Sequence, residues 1–177
     1  KREFVPNPDL RGRRALIVDD NDHARAVIAD MLEGMTFVTR GVRSGPAAIE
    51  EVRNAYLSNH PYDVVYLDWR MPGMDGMETA RRIRAMGMDA APLILMVPAF
   101  GREEVMKEAQ EAGIQSVLVK PVNPSLLFDT TVGALGARAG SLASPQADAN
   151  RTEHRIAAIR GARILLVEDN DINQQVA

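Results

Sequence analysis

Apolar residues along this chain come in five short runs, separated by longer stretches in which they recur at helical spacing. The runs occupy residues 15–18, 37–38, 64–67, 93–97 and 117–119. Most are apolar without alternation, the pattern of strands covered by helices on both faces. Between the first two runs, Ala24, Val27, Ile28, Met31 and Leu32 fall at i, i+3, i+4, i+7 and i+8. That spacing makes one buried helical stripe, and Gly34 just beyond it suits a C-cap. A second helix is predicted over residues 44–57. A third opens at Asp75 as N-cap and turns Met77, Ala80 and Ile83 inward. A fourth follows Gly101 with Val105, Ala109 and Ala112 inward and ends before Gly113, and a fifth starts near Asn123 with Leu126 and Leu127 and fades by Gly136.

Strands alternating with helices predict βαβ units around a parallel sheet. Right-handed crossovers leave few topologies, and the expected one is a flavodoxin-like, doubly wound five-stranded α/β sheet of order 2-1-3-4-5 with helices on both faces. Residues 1–10 read as a lead-in and 11–137 as the main domain. Residues 138–160 turn to Ala, Gly, Ser and Pro, a linker with room for a short helix over 151–160. The chain then repeats itself, because residues 160–171 match residues 11–22 at most positions, identically or conservatively. Residues 161–177 are therefore expected to open a second domain of the same kind, and its apolar strand over 163–167 to be ordered by contact. With no initiating Met and an end in mid-pattern, the sequence is expected to be a piece of a longer protein.

Composition narrows the function classes. A net charge of -3 offers no general attraction to nucleic-acid backbones or anionic lipids. With no cysteine, thiol catalysis, thiolate metal sites and disulfides are excluded. No apolar run approaches the roughly 20 residues that span a bilayer. The segment is expected to be cytoplasmic, without direct membrane contact, within a parent free to be membrane-anchored.

In open α/β sheets ligands sit in the crevice beyond the carboxyl ends of the strands. The first strand ends in Asp19 and Asp20, the third in Asp68, the fifth in Lys120 and Pro121. Any one of these residues alone would be an ordinary turn or surface residue; their joint placement at alternate strand ends carries the chemistry. Three converging carboxylates repel unless a cation neutralises them. A hard divalent ion does so, and Mg2+ is favoured because few protein ligands are on offer. A carboxylate beside such an ion and a lysine is a nucleophile for phosphorus, and Asp68 is the candidate. His23, His60 and His154 lack the setting of a phospho-acceptor, and no Gly-rich nucleotide loop is present.

The residues Val18-Asp19-Asp20-Asn21, Leu67-Asp68-Trp69-Arg70-Met71-Pro72-Gly73-Met74-Asp75-Gly76 and Val119-Lys120-Pro121 together resemble the receiver domain of two-component response regulators. Among these, the segment is most similar to receivers of hybrid sensor histidine kinases. The resemblance implies that Asp68 takes a phosphoryl group from a phosphohistidine on a kinase or histidine-transfer domain. It also implies that Asp20, Asp68 and the backbone carbonyl of Arg70 bind Mg2+ directly, that Asp19 acts through water, and that Lys120 pairs with a phosphoryl oxygen. The Lys120-Pro121 bond is expected to be cis. The implied parent is a histidine kinase, the kinase core lying outside this segment, and the adjacent second receiver is an expected partner.

Two positions depart from the family pattern. Pro98 stands where Thr or Ser would donate a hydroxyl to the phosphoryl group, and Val117 where an aromatic ring would swing inward. A degenerate receiver, acting as an interaction module without phosphorylation, is the alternative these changes suggest. A phosphatase with an Asp nucleophile and a second Asp two residues on as acid fails at Arg70.

Overall fold

The computed structural model describes residues 10–99, 109, 114 and 116–139, and for 137–139 the backbone only. All lie in the first of the two units into which the chain divides, residues 1–139 and 140–177. The elements run β1 (Arg14–Val18), α1 (Asp22–Gly34), β2 (Val38–Val42), α2 (Gly45–Leu57), β3 (Val64–Asp68), α3 (Gly76–Arg84), β4 (Leu93–Val97), β5 (Ser116–Val117) and α4 (Pro124–Ala139). The five strands are parallel in the order β2-β1-β3-β4-β5, as the crossover rules predict. Of the helix expected after Gly101, Ala109 is described; it is helical and buried. The repeat over 160–177, its strand and the short helix over 151–160 lie outside the described residues.

Strand alternation divides the core into two layers. On one face Leu16, Val18, Val65, Leu67, Ile94 and Met96 pack with Ala48, Val52 and Ala55 of α2 and Met77, Ala80 and Ile83 of α3. On the other, Ala15, Ile17, Val64, Tyr66, Leu93, Leu95 and Val97 pack with Ile28 and Leu32 of α1 and Leu127, Ala134 and Leu135 of α4. β3 and β4 are buried throughout and β1 beyond Arg14, which is why they show as unbroken apolar runs. β2 differs. It is an edge strand, mostly exposed, with Thr39, Arg40 and Gly41 at its centre. Its apolar signal over residues 37–38 therefore marks only its start, and Phe37 is a buried residue just before it. β5 begins one residue earlier than predicted and ends at Val117, with the Leu118 N–H still donating to the Met96 carbonyl at 2.7 Å.

Helix starts are capped by side chains, at Asp75 as predicted and also at Asn21 and Ser44. The Asn21 side chain accepts from the N–H groups of His23 and Ala24, Ser44 from Ala47, and Asp75 from Glu78. The end of α1 corrects the assignment to Gly34, which lies inside the helix; Met35 is the C-cap and Thr36 the left-handed residue, at φ 70°. The Thr36 N–H donates to the Glu33 carbonyl at 2.9 Å and the Phe37 N–H to Leu32 at 3.1 Å. This is the Schellman pattern, and it fixes the stop because Phe37 and Leu32 both enter the core. α2 closes the same way with Asn59 at φ 58°, and the turn that follows α3 places Gly87 at φ 61°. No helix among the described residues is long and apolar enough to cross a membrane.

Candidate functional site

Strand register assembles the site. Val18 lies beside Leu67, and Asp68 beside Val97, so the next residues along, Asp19 and Pro98, flank Asp68 at the carboxyl edge of the sheet. The carboxylates of Asp19, Asp20 and Asp68 come within 4.8 Å of one another. Asp19 and Asp68 are buried, at 2% and 6% exposure, while Asp20 is exposed. Lys120 enters from beyond β5. Its Nζ donates to Asp19 Oδ2 at 2.6 Å and to Asp68 Oδ1 at 2.7 Å. The other Asp19 oxygen accepts the Asn21 N–H at 2.9 Å, so both of its oxygens are engaged.

The electrostatics follow from this crowding. Burial pushes the Asp68 carboxyl above the ordinary carboxylate range; Lys120 pulls it back, and the negative charges of Asp19 and Asp20 push it up again, leaving it raised. For Lys120, burial alone disfavours the ammonium, but its hydrogen bonds to Asp19 and Asp68 outweigh that and leave its pKa raised. One ammonium thus neutralises part of a three-carboxylate cluster, and the remainder is a net negative pocket of hard oxygen donors. That donor set fits a small divalent cation.

The loop after β3 closes the pocket. Trp69 is half-buried against the core layer of α2 and α3, and Arg70, two residues after Asp68, is exposed. Gly73 turns the chain at φ 80°. Gly76 then brings α3 so near that a Cβ there would collide with the backbone carbonyl of Asp68, and its N–H donates to the Trp69 carbonyl at 3.0 Å. The Lys120-Pro121 peptide is cis.

Pro98 is buried at the end of β4 and brings no hydroxyl to the site. Its carbonyl accepts the Lys120 N–H at 2.9 Å, so the substitution keeps the backbone bond that places the lysine. Val117 is half-buried and packs against the core layer of α2 and α3. The structure therefore brings Asp19, Asp20, Asp68, Pro98 and Lys120 into one crevice edge, with Arg70 in the adjoining loop and Val117 in the wall of the domain. Arg25 went unremarked in the sequence. Its Nη1 donates to the Asp19 carbonyl at 2.6 Å and its Nη2 pairs with Asp22. The three-residue spacing from Asp22 on the first turn of a helix was the available signal.

Acids and a lysine gathered at the carboxyl edge of a doubly wound α/β domain form a candidate site for a divalent cation and an anionic group. The sequence profile of the response regulator receiver domain matches residues 15–131, and the chain belongs to that family, the receiver domains of two-component signal transduction. Among curated proteins, Sensory/regulatory protein RpfC of Xanthomonas campestris pv. campestris is 31% identical over 148 residues, 78% of this chain and 19% of the relative. Ethylene receptor 2 of Oryza sativa subsp. japonica is 34% identical over 126 residues, 71% of this chain and 16% of the relative. The chain thus spans less than a fifth of the length of either protein. Among solved structures, the receiver domain of the histidine kinase CKI1 from Arabidopsis thaliana, complexed with Mg2+ and BeF3-, aligns with a TM-score of 0.61 and 28% identity, covering 71% of this chain and 91% of that one.

Proposed function

We propose that this domain accepts a phosphoryl group from a phosphohistidine onto Asp68, with Mg2+, as a relay module of a hybrid histidine kinase. The observation that carries the reading is the contact of Lys120 Nζ with both Asp19 and Asp68 inside a three-carboxylate pocket. Asp20, exposed, and Asp68, with one oxygen left by Lys120, would hold the ion directly, joined by the Arg70 carbonyl. Asp19, its oxygens already engaged, would act through water. Mg2+ bound there supplies positive charge to the carboxylates and to the oxygens of the transferring group.

The chain's own residues do the rest. The Asp68 carboxylate oxygen attacks phosphorus, the P–N bond to the donor imidazole breaks, and that nitrogen leaves with the electron pair. Lys120 follows its partner, exchanging the Asp68 carboxylate for a phosphoryl oxygen while Asp19 keeps the ammonium in place. Burial of Asp68 excludes bulk water from the acyl phosphate. The donor is a kinase or histidine-transfer domain, and a further receiver following the linker over 138–160 is a neighbouring partner. Residues 11–137 are the module itself, with a second one opening over 161–177.

Incubating the chain with a small-molecule phosphodonor and Mg2+ should add one phosphoryl group by intact mass, and Asp68→Asn should abolish the addition. An unlabelled wild type that also shows no response to beryllofluoride would overturn the reading. Pro98 and Val117 favour a second one, a non-phosphorylated docking module. It predicts partner binding indifferent to Asp68→Asn, whereas the leading reading predicts lost relay.

A further inference from the structure

We infer that Arg25 is a positioning residue for the metal site, holding the peptide between Asp19 and Asp20 so that the Asp20 carboxylate stays within reach of the ion. The inference rests on the Mg2+ reading above and deepens it.

Asp19 ends the β1 ladder with its N–H still bonded to the Val42 carbonyl at 3.2 Å. Its own carbonyl accepts from Arg25 Nη1 at 2.6 Å. A peptide is planar, so fixing that oxygen also fixes the N–H and Cα of Asp20. Asp20 needs the restraint more than its neighbours do. Asp19 and Asp68 are buried and tied to Lys120, whereas Asp20 is exposed and sits within 4.8 Å of two like charges that repel it toward solvent.

The arginine is itself held. Its side chain is only 13% exposed, and its arm runs past Gly41, with Cδ 3.5 Å from where a Cβ would stand. Its Nη2 pairs with Asp22, whose second oxygen pairs with Arg43 Nη2 at 2.8 Å. A guanidinium spans the carbonyl and the Asp22 carboxylate together because its donors are set in a rigid fork; an ammonium at that position reaches one at a time. Arg25 thus ties the first turn of α1 and the loop after β2 to one backbone oxygen beside the acids.

The test is Mg2+ titration of the full chain, followed by fluorescence of Trp69, its single tryptophan, and by calorimetry, with Tm measured separately without Mg2+. Arg25→Met should weaken Mg2+ binding about tenfold or more, the usual size of an outer-shell loss. Arg25→Lys should fall between it and wild type. Arg43→Ala, which leaves the bond to Asp19 in place, should stay within about twofold of wild type. Wild-type affinity in Arg25→Met and Arg25→Lys, whatever their Tm, would overturn the inference, as would equal weakening by Arg43→Ala. If Arg25→Met fails to fold, Arg25→Lys alone decides. A wild type blind to Mg2+ in both measurements removes the metal reading and this inference with it, an outcome distinct from variants that bind like wild type.

Discussion

The two halves of the pocket are built differently. Where β1 and β3 end, buried acids converge, Lys120 bridges them, and Asn21 and Arg25 hold the loop between. Where β4 and β5 end, Pro98 offers a carbonyl but no hydroxyl, and the half-buried Val117 packs against the core without an aromatic ring. Under the proposed function, binding an ion and attacking phosphorus would depend on the first half, and sensing the arrived phosphoryl group on the second. The contrast separates chemistry from readout: a domain can keep the carboxylates and lysine that form an aspartyl phosphate while losing a donor that stabilises it.

The largest effects that would break this contrast lie in the acidic half. Asp20→Asn should weaken Mg2+ binding by about one to two orders of magnitude, because it removes a charged ligand from a pocket with few. Pro98→Thr should leave Mg2+ affinity unchanged. Titrations followed by Trp69 fluorescence compare the two directly, and a matching loss in both variants would mean that the halves are not separable.

Pro98→Thr should instead act on the phosphoryl mimic. A hydrogen bond to a charged group is worth about 1.5–3 kcal/mol, so restoring the hydroxyl should tighten beryllofluoride about tenfold to hundredfold. With Val117 unchanged, that gain should come without an aromatic inward swing. Equal beryllofluoride affinity in wild type and variant would show that water or another side chain already fills the role.

How much of this was legible in the sequence varies with burial. β1, β3 and β4 were plain because helices cover both their faces and nothing interrupts the apolar run. β2 was only partly legible, since an exposed edge strand has no reason to be apolar beyond the residue that anchors it. The acids and the lysine could be found as residues that follow strands. Their pairing could not, because the contact between Lys120 and Asp19 joins positions 101 apart and depends on the register of five strands. Arg25 was hidden for a similar reason: an arginine on a helix looks solvated until its backbone acceptor is known. The stop of α1 was misplaced by one specific cue. Glycine is the usual left-handed cap, yet the pairing of Phe37 with Leu32 in the core puts that conformation on Thr36 instead.

A smaller effect tests the electrostatics of the acidic half without a phosphodonor. Because the native pocket raises the Asp68 pKa, the folded state holds that proton more tightly than the unfolded chain does. Its contribution is most favourable at low pH and is lost as pH rises through the raised value, so ionised Asp68 costs stability at neutral pH. In Mg2+-free buffer Asp68→Asn should therefore melt a few degrees above wild type at neutral pH, and the gap should close below about pH 4. Mg2+ should reverse the order by stabilising wild type, by about 2.7 kcal/mol at a hundred times Kd. Superimposable melting curves for the two proteins at every pH would mean that Lys120 fully offsets the crowding.

The smallest effect supplies the control that the contrast needs, since any affinity change could in principle report stability alone. Thr36 precedes β2, at the end of the sheet opposite the acids, and holds a φ of 70°, a region that β-branched residues rarely adopt. Asn59 at the close of α2 and Gly87 in the turn after α3 hold the same conformation and are better suited to it. The left-handed conformation costs an L-residue about 1–2 kcal/mol, and glycine's greater unfolded-state freedom returns part of that. The Thr36 hydroxyl adds only a local bond to the Met35 carbonyl, at 2.6 Å. Thr36→Gly should then stabilise the domain by about 0.5–1 kcal/mol, a rise of a few degrees in Tm. Mg2+ and beryllofluoride affinities should match wild type. If the more stable variant also binds either ligand more tightly, then part of the difference assigned to Asp20 or Pro98 belongs to global stability, and the two halves of the pocket are coupled through the fold.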